Sequence, residues 1–161
     1  MSTSNLSSYE GLPAPSGKGF RIAVVVSEWN TAVTESMFSA CIATLKEHEV
    51  PDNQVIVTRV PGSYELTSAA QMLLESNELD AVICLGCIIK GETPHDEHIA
   101  SAVANGITRV SIDYSTPVIF GVLTTLNQEQ AEARSGGKKG NKGVESAITA
   151  LKMAALRKQL I

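Results

Sequence analysis

The chain reads as an α/β domain built on a parallel four-stranded sheet with helices on both faces. Three observations predict it. Strand-like runs recur at 21–26, 55–60, 81–85 and 117–123, the first of them a continuous β-branched run typical of a strand covered on both faces. Stretches with helical spacing alternate with these runs, the pattern of strand–helix–strand units joined by right-handed crossovers. The side chains best suited to chemistry fall after strands, and parallel strands would bring all those loops to one edge of the sheet.

Residues 1–19 are rich in Ser, Gly and Pro and have no apolar periodicity. They are expected to form a flexible tail that a partner subunit could order, ahead of a folded domain over 20–161. A glycosylation sequon at Asn5 carries little weight, because no basic region followed by an apolar segment marks a secretory signal. The first strand, Arg-Ile-Ala-Val-Val-Val, leads into the loop Ser27-Glu28-Trp29-Asn30. A helix over 31–48 then places Val33, Met37, Cys41 and Leu45 on one face. Pro51 breaks the chain before the second strand. Pro61-Gly62-Ser63-Tyr64-Glu65 turns out of that strand into a helix over 66–74.

The third strand, 81–85, ends in a turn built on Gly86 and Gly91. Its helix has the signature of a start at Thr93-Pro94, with Thr as N-cap, Pro in the first position and Asp96 in the third, and runs to about 108. The fourth strand is followed by a short helix over 127–133 with Gln128, Glu129 and Glu132 outward. A Gly- and Lys-rich segment, 134–143, interrupts it. The last helix carries a stripe of Val144, Ile148, Leu151 and Ala155 and is long for four strands, so part of its apolar face is expected to meet another subunit.

Composition narrows the function classes. With 161 residues the chain is long enough for one domain with a sizeable core. The net charge of −4 argues against nucleic acid as the main partner. No apolar run approaches the roughly 18 residues of a membrane span. Three cysteines, an odd number, suit a reducing, cytoplasmic compartment better than a disulfide framework. Cys84 and Cys87 have CxxC spacing, but three residues apart on a strand they point to opposite faces. No second CxxC and no His pair at zinc-finger spacing completes a metal site. They read as core and turn residues, with no metal.

His95 would sit in the first turn of a helix, at the end of a parallel strand, where free N–H groups attract anions. That is a plausible place for proton transfer, since its ordinary pKa lies near physiological pH, and equally a well-capped turn with a surface histidine. Trp29, the one tryptophan, could stack on a flat heterocycle or cap the core. Glu65 could bond a ligand N–H or hydroxyl, or favour the positive end of its helix. Arg134, Lys138, Lys139 and Lys142 cluster in an acidic chain. The segment fails the Walker A spacing, which leaves a solvated basic loop or a phosphate or carboxylate site centred on Arg134. Lys142 and Glu145 are further candidates beside it. The early GxGxxG of a dinucleotide site is absent.

Taken together, Glu28-Trp29-Asn30, the run from Val60 through Pro-Gly-Ser-Tyr to Glu65, the run from Gly86 through Cys-Ile-Ile-Lys-Gly-Glu-Thr-Pro to His95, residues 117–125 and the Arg134 to Gly143 loop resemble the lumazine synthase family, in family order and over nearly all of 20–161. The resemblance implies a flavodoxin-like three-layer sandwich. It implies a cofactor-free transferase of riboflavin biosynthesis that condenses 5-amino-6-(D-ribitylamino)uracil with 3,4-dihydroxy-2-butanone 4-phosphate to 6,7-dimethyl-8-ribityllumazine. By the same resemblance Trp29 and Asn30 face the pyrimidine. Ser63, Tyr64 and Glu65 hold the ribityl chain, and the backbone of Cys87, Ile88 and Ile89 contacts the ring. Glu92 and Thr93 cradle the phosphate with Arg134, and His95 transfers protons. Phe120 and Arg134 would come from a neighbouring subunit, so that each active site lies between adjacent copies.

The family assembles as pentamers or shells of twelve pentamers, and riboflavin synthase is a candidate partner. The short Gly-Gly-Lys-Lys-Gly-Asn linker resembles the shell-forming type, whereas Pro13 and Pro15 pull the other way. One departure stands out. The family usually has an aromatic directly after this histidine, then an acid and often another aromatic, where this chain has Asp96-Glu97-His98. Those acids are expected to point to solvent or to line a subunit contact. A non-catalytic flavin- or pterin-binding module and a purely structural shell protein are the competing readings. The trio of Thr93, His95 and Arg134 favours the enzyme, because neither competitor needs it.

Overall fold

A computed structural model describes residues 13–161. Four parallel strands form its sheet: β1 (Ile22–Ser27), β2 (Val55–Val60), β3 (Ala81–Ile89) and β4 (Val118–Thr125), in the spatial order β2-β1-β3-β4. The helices are α1 (Thr31–Glu47), α2 (Leu66–Ser76), α3 (His95–Asp113), the short α4 (Gln128–Arg134) and α5 (Lys142–Leu160). A small antiparallel pair, β5 (Ser135–Gly137) and β6 (Gly140–Asn141), joins the last two. This is the parallel α/β sheet that the strand pattern predicts, in the flavodoxin-like form that the family resemblance implies.

The pleat divides the core in two. Ile22, Val24 and Val26 of β1 pack with Met37, Cys41 and Leu45 of α1 and with the alanines of α5. Ala23 and Val25 face the other way, onto α2 and α3. Cys84 and Cys87 fall in these opposite cores, as their three-residue spacing requires. Every residue of β1 is buried, which explains its uninterrupted apolar run.

Several boundaries differ from the sequence reading. α3 continues to Asp113, five residues beyond the expected end at 108. α5 buries Ile148 and Leu151 of the expected stripe, with Val144 and Ala155 partly covered, and buries Ala147, Ala150 and Ala154 beside them. Small residues on that face allow α5 to approach α1 closely. Of residues 1–19, the first twelve lie outside the described chain, while Ala14 packs against the core and the Gly17 N–H donates to the His48 carbonyl at 2.6 Å. No helix among the described residues is long and apolar enough to cross a membrane.

Gly143 marks the closest approach. A β-carbon there would overlap the Met37 carbonyl on α1. Helix propensity alone would favour Ala over Gly by about 1 kcal/mol. Here Gly143→Ala should instead lower stability by roughly 1–3 kcal/mol, as overpacking does, and calorimetry would read it as a fall in Tm.

Candidate active site

The chain leaves β1 to one side, forms β2, and returns past β1 to form β3 and then β4 on the other. The carboxyl ends of β1 and β3 therefore flank the point where the winding reverses, the usual ligand crevice of open α/β sheets. The β1–β3 pairing ends at Val26 opposite Leu85, yet β3 continues to Ile89 against β4. Gly86 is thus a strand residue and not, as the sequence reading had it, the turn. Its missing side chain makes room for Ser63, whose Oγ would lie 2.5 Å from a β-carbon at this position. The overhanging edge of β3 has no strand beside it on the β1 side, so its backbone must find other partners.

Side chains of two loops meet that edge. Asn30 adopts a left-handed backbone (φ 61°) that Asn tolerates better than most residues, and its Nδ2 donates to the Cys87 carbonyl at 3.1 Å. Ser63 is buried and donates to the same carbonyl at 3.5 Å, a long bond. The loops are also tied together: the Glu28 N–H donates to the Val60 carbonyl at 2.8 Å and the Trp29 N–H to that of Pro61 at 3.0 Å. The Trp29 ring lies against Gly62 but is 66% exposed. It is not a cap on the core, and an open aromatic face is left for stacking. Glu65 closes its own turn, with Oε2 accepting from the Gly62 N–H at 2.9 Å.

The chain then runs through Gly91 to α3. The helix begins at His95, one residue later than its sequence signature predicts, with Pro94 in the cap position and no side-chain cap bond from Thr93. The cause is visible in the backbone, where the Pro94 carbonyl accepts from the N–H groups of Glu97 and His98 at 3.1 and 3.3 Å. A cleft of about 290 Å³ results. Trp29, Asn30, Ser63 and Tyr64 line one side of it; Cys87, Ile88, Ile89, Thr93 and His95 line the other.

The remaining sequence-predicted residues lie elsewhere on the single chain. Glu65 and Glu92 do not line the cleft. Phe120, on the outer strand β4, lines a separate groove with Lys142 and Glu145. Arg134 lies with Lys138 and Lys139 in a third depression beside α4. Lys142 and Glu145 approach to 3.5 Å. Burial dominates both: it lowers the Lys142 pKa, with the Arg134 charge adding to the effect, and it raises that of Glu145. Asp96 and Ile99 line the cleft without standing among the expected site residues. Helical spacing is a signal for Ile99, which lies one turn after His95, but not for its neighbour Asp96. The expectation that the acids here face solvent or a subunit contact holds for the exposure of Glu97, while Asp96 is half-buried and borders the cleft. Among the described residues no three His, Cys, Asp or Glu side chains gather as a metal site.

Residues 19–158 match the family described as 6,7-dimethyl-8-ribityllumazine synthase. The chain belongs to that family. It is 51% identical over 154 residues to the 6,7-dimethyl-8-ribityllumazine synthase of Porphyromonas gingivalis, covering 96% of each chain. It is 52% identical over 152 residues to the protein of that name from Cytophaga hutchinsonii, covering 94% of each. A third relative, from Parabacteroides distasonis, is 47% identical over 149 residues, with 92% of this chain and 93% of that one covered.

Within this member of the family the cleft thiol is chemically quiet. Burial pushes Cys87 up to about 11, and Cys41 and Cys84 to about 12. The thiolate is the reactive form, so alkylation by iodoacetamide at pH 8 should be far slower in the native protein than in denaturant. The Cys87 rate should rise with pH until about 11. Mass spectrometry of tryptic peptides over time measures it, and rapid native labelling at pH 8 would contradict the burial.

Proposed function

We propose that this chain condenses 5-amino-6-(D-ribitylamino)uracil with 3,4-dihydroxy-2-butanone 4-phosphate to 6,7-dimethyl-8-ribityllumazine, releasing phosphate and water, as a transferase of riboflavin biosynthesis. The observation that carries the reading is the convergence of Trp29, the Cys87–Ile89 strand edge, Thr93 and His95 on one cleft in a chain of this family. Trp29 would stack on the pyrimidine while the strand edge bonds its polar rim. Ser63 and Tyr64 sit where the ribityl chain would run. Thr93 and Glu92 begin the phosphate end, to which Arg134 supplies the cation. The amine attacks the ketone to give an imine, phosphate leaves, and the ring closes with loss of water.

Holding two substrates in register removes much of the entropic barrier to such a condensation. His95 is exposed at the cleft, free to pass protons among imine, enol and leaving group, a role typically worth about 10²–10⁴-fold. No cofactor is needed for these steps.

The site is proposed to lie between adjacent copies of the chain. Phe120 and Arg134 are outside the single-chain cleft, and Ile112, Met153, Leu156 and Leu160 leave an apolar surface exposed, as an assembly face would. We infer a pentamer, or a shell of twelve pentamers, working in the cytoplasm, where three free cysteines stay reduced. Riboflavin synthase is the proposed partner.

Mixing the two substrates with the protein should generate lumazine fluorescence and inorganic phosphate together. Tight riboflavin binding without turnover would favour a flavin-binding module instead. His95→Ala should lower kcat about 10²–10⁴-fold and leave product binding and oligomer size unchanged. Arg134→Ala should raise KM for the phosphate substrate selectively. Assayed at a phosphate-substrate concentration well below the KM of Arg134→Ala, co-refolded mixtures of the two variants should be more active than either alone, because mixed oligomers contain sites with an intact His95 from one copy and an intact Arg134 from its neighbour. Absence of such complementation would place both residues on the same copy's site.

A further inference from the structure

α4 ends at Arg134, and the chain then makes the β5–β6 hairpin before α5 starts at Lys142. The hairpin is therefore flanked by two cations. Like charges at its open end repel: burial and, after it, the Arg134 charge lower the Lys142 pKa. The hairpin itself resists spreading only weakly. Its strands are three and two residues long, their register shifts between Ser135 and Gly137, and Gly136 and Gly140 take left-handed backbones that glycine reaches freely.

A tie to the hairpin comes from α1. The half-buried Ser36 donates its hydroxyl to the Ser135 carbonyl. Its own carbonyl accepts from Asn141 Nδ2 at 3.4 Å, and Asn141 Oδ1 in turn accepts from the Gly143 N–H at 2.8 Å, capping α5. One residue of α1 thus holds the residue after Arg134 and the residue before Lys142. A β-carbon at Gly136 would lie 3.2 Å from the Ser36 hydroxyl, so the hairpin backbone passes close to α1 here. A serine or threonine inside a helix can return its hydroxyl to the carbonyl one turn back, as Thr44 of the same helix does to Ala40 at 2.8 Å. Ser36 reaches across to the hairpin instead.

We propose that Ser36 is a positioning residue, which fixes the hairpin so that Arg134 is set for the phosphate of the four-carbon substrate. This rests on the function proposed above, in which Arg134 supplies the phosphate's cation, and adds to it a residue that touches no substrate. A guanidinium binds phosphate through N–H groups in a fixed plane, so its grip depends on where its backbone is held, and small displacements weaken it. Ala131 anchors the body of α4 in the core, but Arg134 is the last residue of that helix and depends on the segment that follows. Ser36 does not line the cleft, so its loss leaves the aminopyrimidine's contacts alone.

The test uses the full-length assembled protein with Ser36→Ala. KM for the phosphate substrate should rise about 2- to 10-fold, the factor that one ordinary hydrogen bond is worth, with kcat and KM for the aminopyrimidine unchanged. Added to Arg134→Ala, the same substitution should have no further effect on KM, because the hairpin then has no guanidinium to place. Amide hydrogen exchange, followed by mass spectrometry, should quicken in peptides over 134–141 and keep its wild-type rate in the rest of the chain.

An unchanged phosphate KM, or unchanged exchange over 134–141, would overturn the positioning role. So would a rise in KM that persists in full beside Arg134→Ala, since Ser36 would then act on another group. Equal rises in both KM values with a lower Tm would make Ser36 a packing residue only. If Ser36→Ala does not fold, Ser36→Cys decides, because a thiol fills similar space and is a weak donor. The two proposals can fail independently. Active wild-type protein with a normal phosphate KM in the Ser36 variant defeats the positioning alone. A wild type without turnover defeats the enzyme reading, and calorimetric titration with inorganic phosphate then decides the positioning. Binding weakened by Ser36→Ala, but no further once Arg134→Ala is present, supports it; binding indifferent to Ser36 overturns it.

Discussion

The unequal lengths of two neighbouring strands govern the geometry of the cleft. β1 stops pairing with β3 at Val26 opposite Leu85, and β3 runs four residues further, to Ile89, supported only by β4. Backbone polar groups on an overhang cannot be left dry and unpaired. The Cys87 carbonyl is satisfied by Asn30 and, over a longer distance, by Ser63. One acceptor thereby draws the loops after β1 and β2 against the end of β3, and those loops carry Trp29 and Tyr64. The left-handed turn at Asn30 is part of the same arrangement, since that residue must both end the loop and aim its amide at β3. The cleft is a consequence of how the sheet terminates.

This constraint also explains how much was legible beforehand. The β-branched runs of β1 and β2 and the four-residue spacing of Val33, Met37, Cys41 and Leu45 are signals of period and composition, and all four of those α1 residues are buried where that spacing puts them. The parity of Cys84 and Cys87 is a signal of the same kind. So is the arrival of the post-strand loops at one edge, because it follows from the strands being parallel. What could not be read depends on contacts between distant segments. Gly86 looks like a turn residue in isolation. It is a strand residue because Ser63, which follows a different strand, occupies its side-chain space. The buried face of α5 carries Gly143 and three alanines beside Ile148 and Leu151, and the contact of Gly143 with the Met37 backbone of α1 is a distance that no window on α5 alone contains.

The start of α3 shows a local rule giving way in a small measure. Thr93-Pro94 has the composition of a capped helix, but the helix begins at His95 with its first turn closed on the Pro94 carbonyl. The one-residue shift has consequences for the site. Thr93 makes no cap bond and lines the cleft together with Asp96. A chain with an aromatic at position 96 would add apolar wall there. This chain puts a carboxyl side chain there, so its cleft differs in character from what the surrounding motif alone implies.

Charge then determines what the single chain can and cannot do. Its cleft is lined by aromatic and aliphatic surface, neutral polar groups, His95 and Asp96. Such a wall suits a flat, hydroxyl-rich molecule well and a phosphate poorly, since no permanent cation faces it. The basic side chains of Arg134, Lys138 and Lys139 sit together beside α4, outside the cleft, and Phe120 stands on the outer strand. A dianion needs charge-assisted partners to leave water. In the proposed reaction, which joins a neutral polyol-bearing ring to a phosphate ester, the cationic surface of a neighbouring copy would supply those partners. The proposed assembly would bring the cationic surface at Arg134 of one copy to the cleft of the next, and so give the phosphate the partners that the single chain keeps elsewhere.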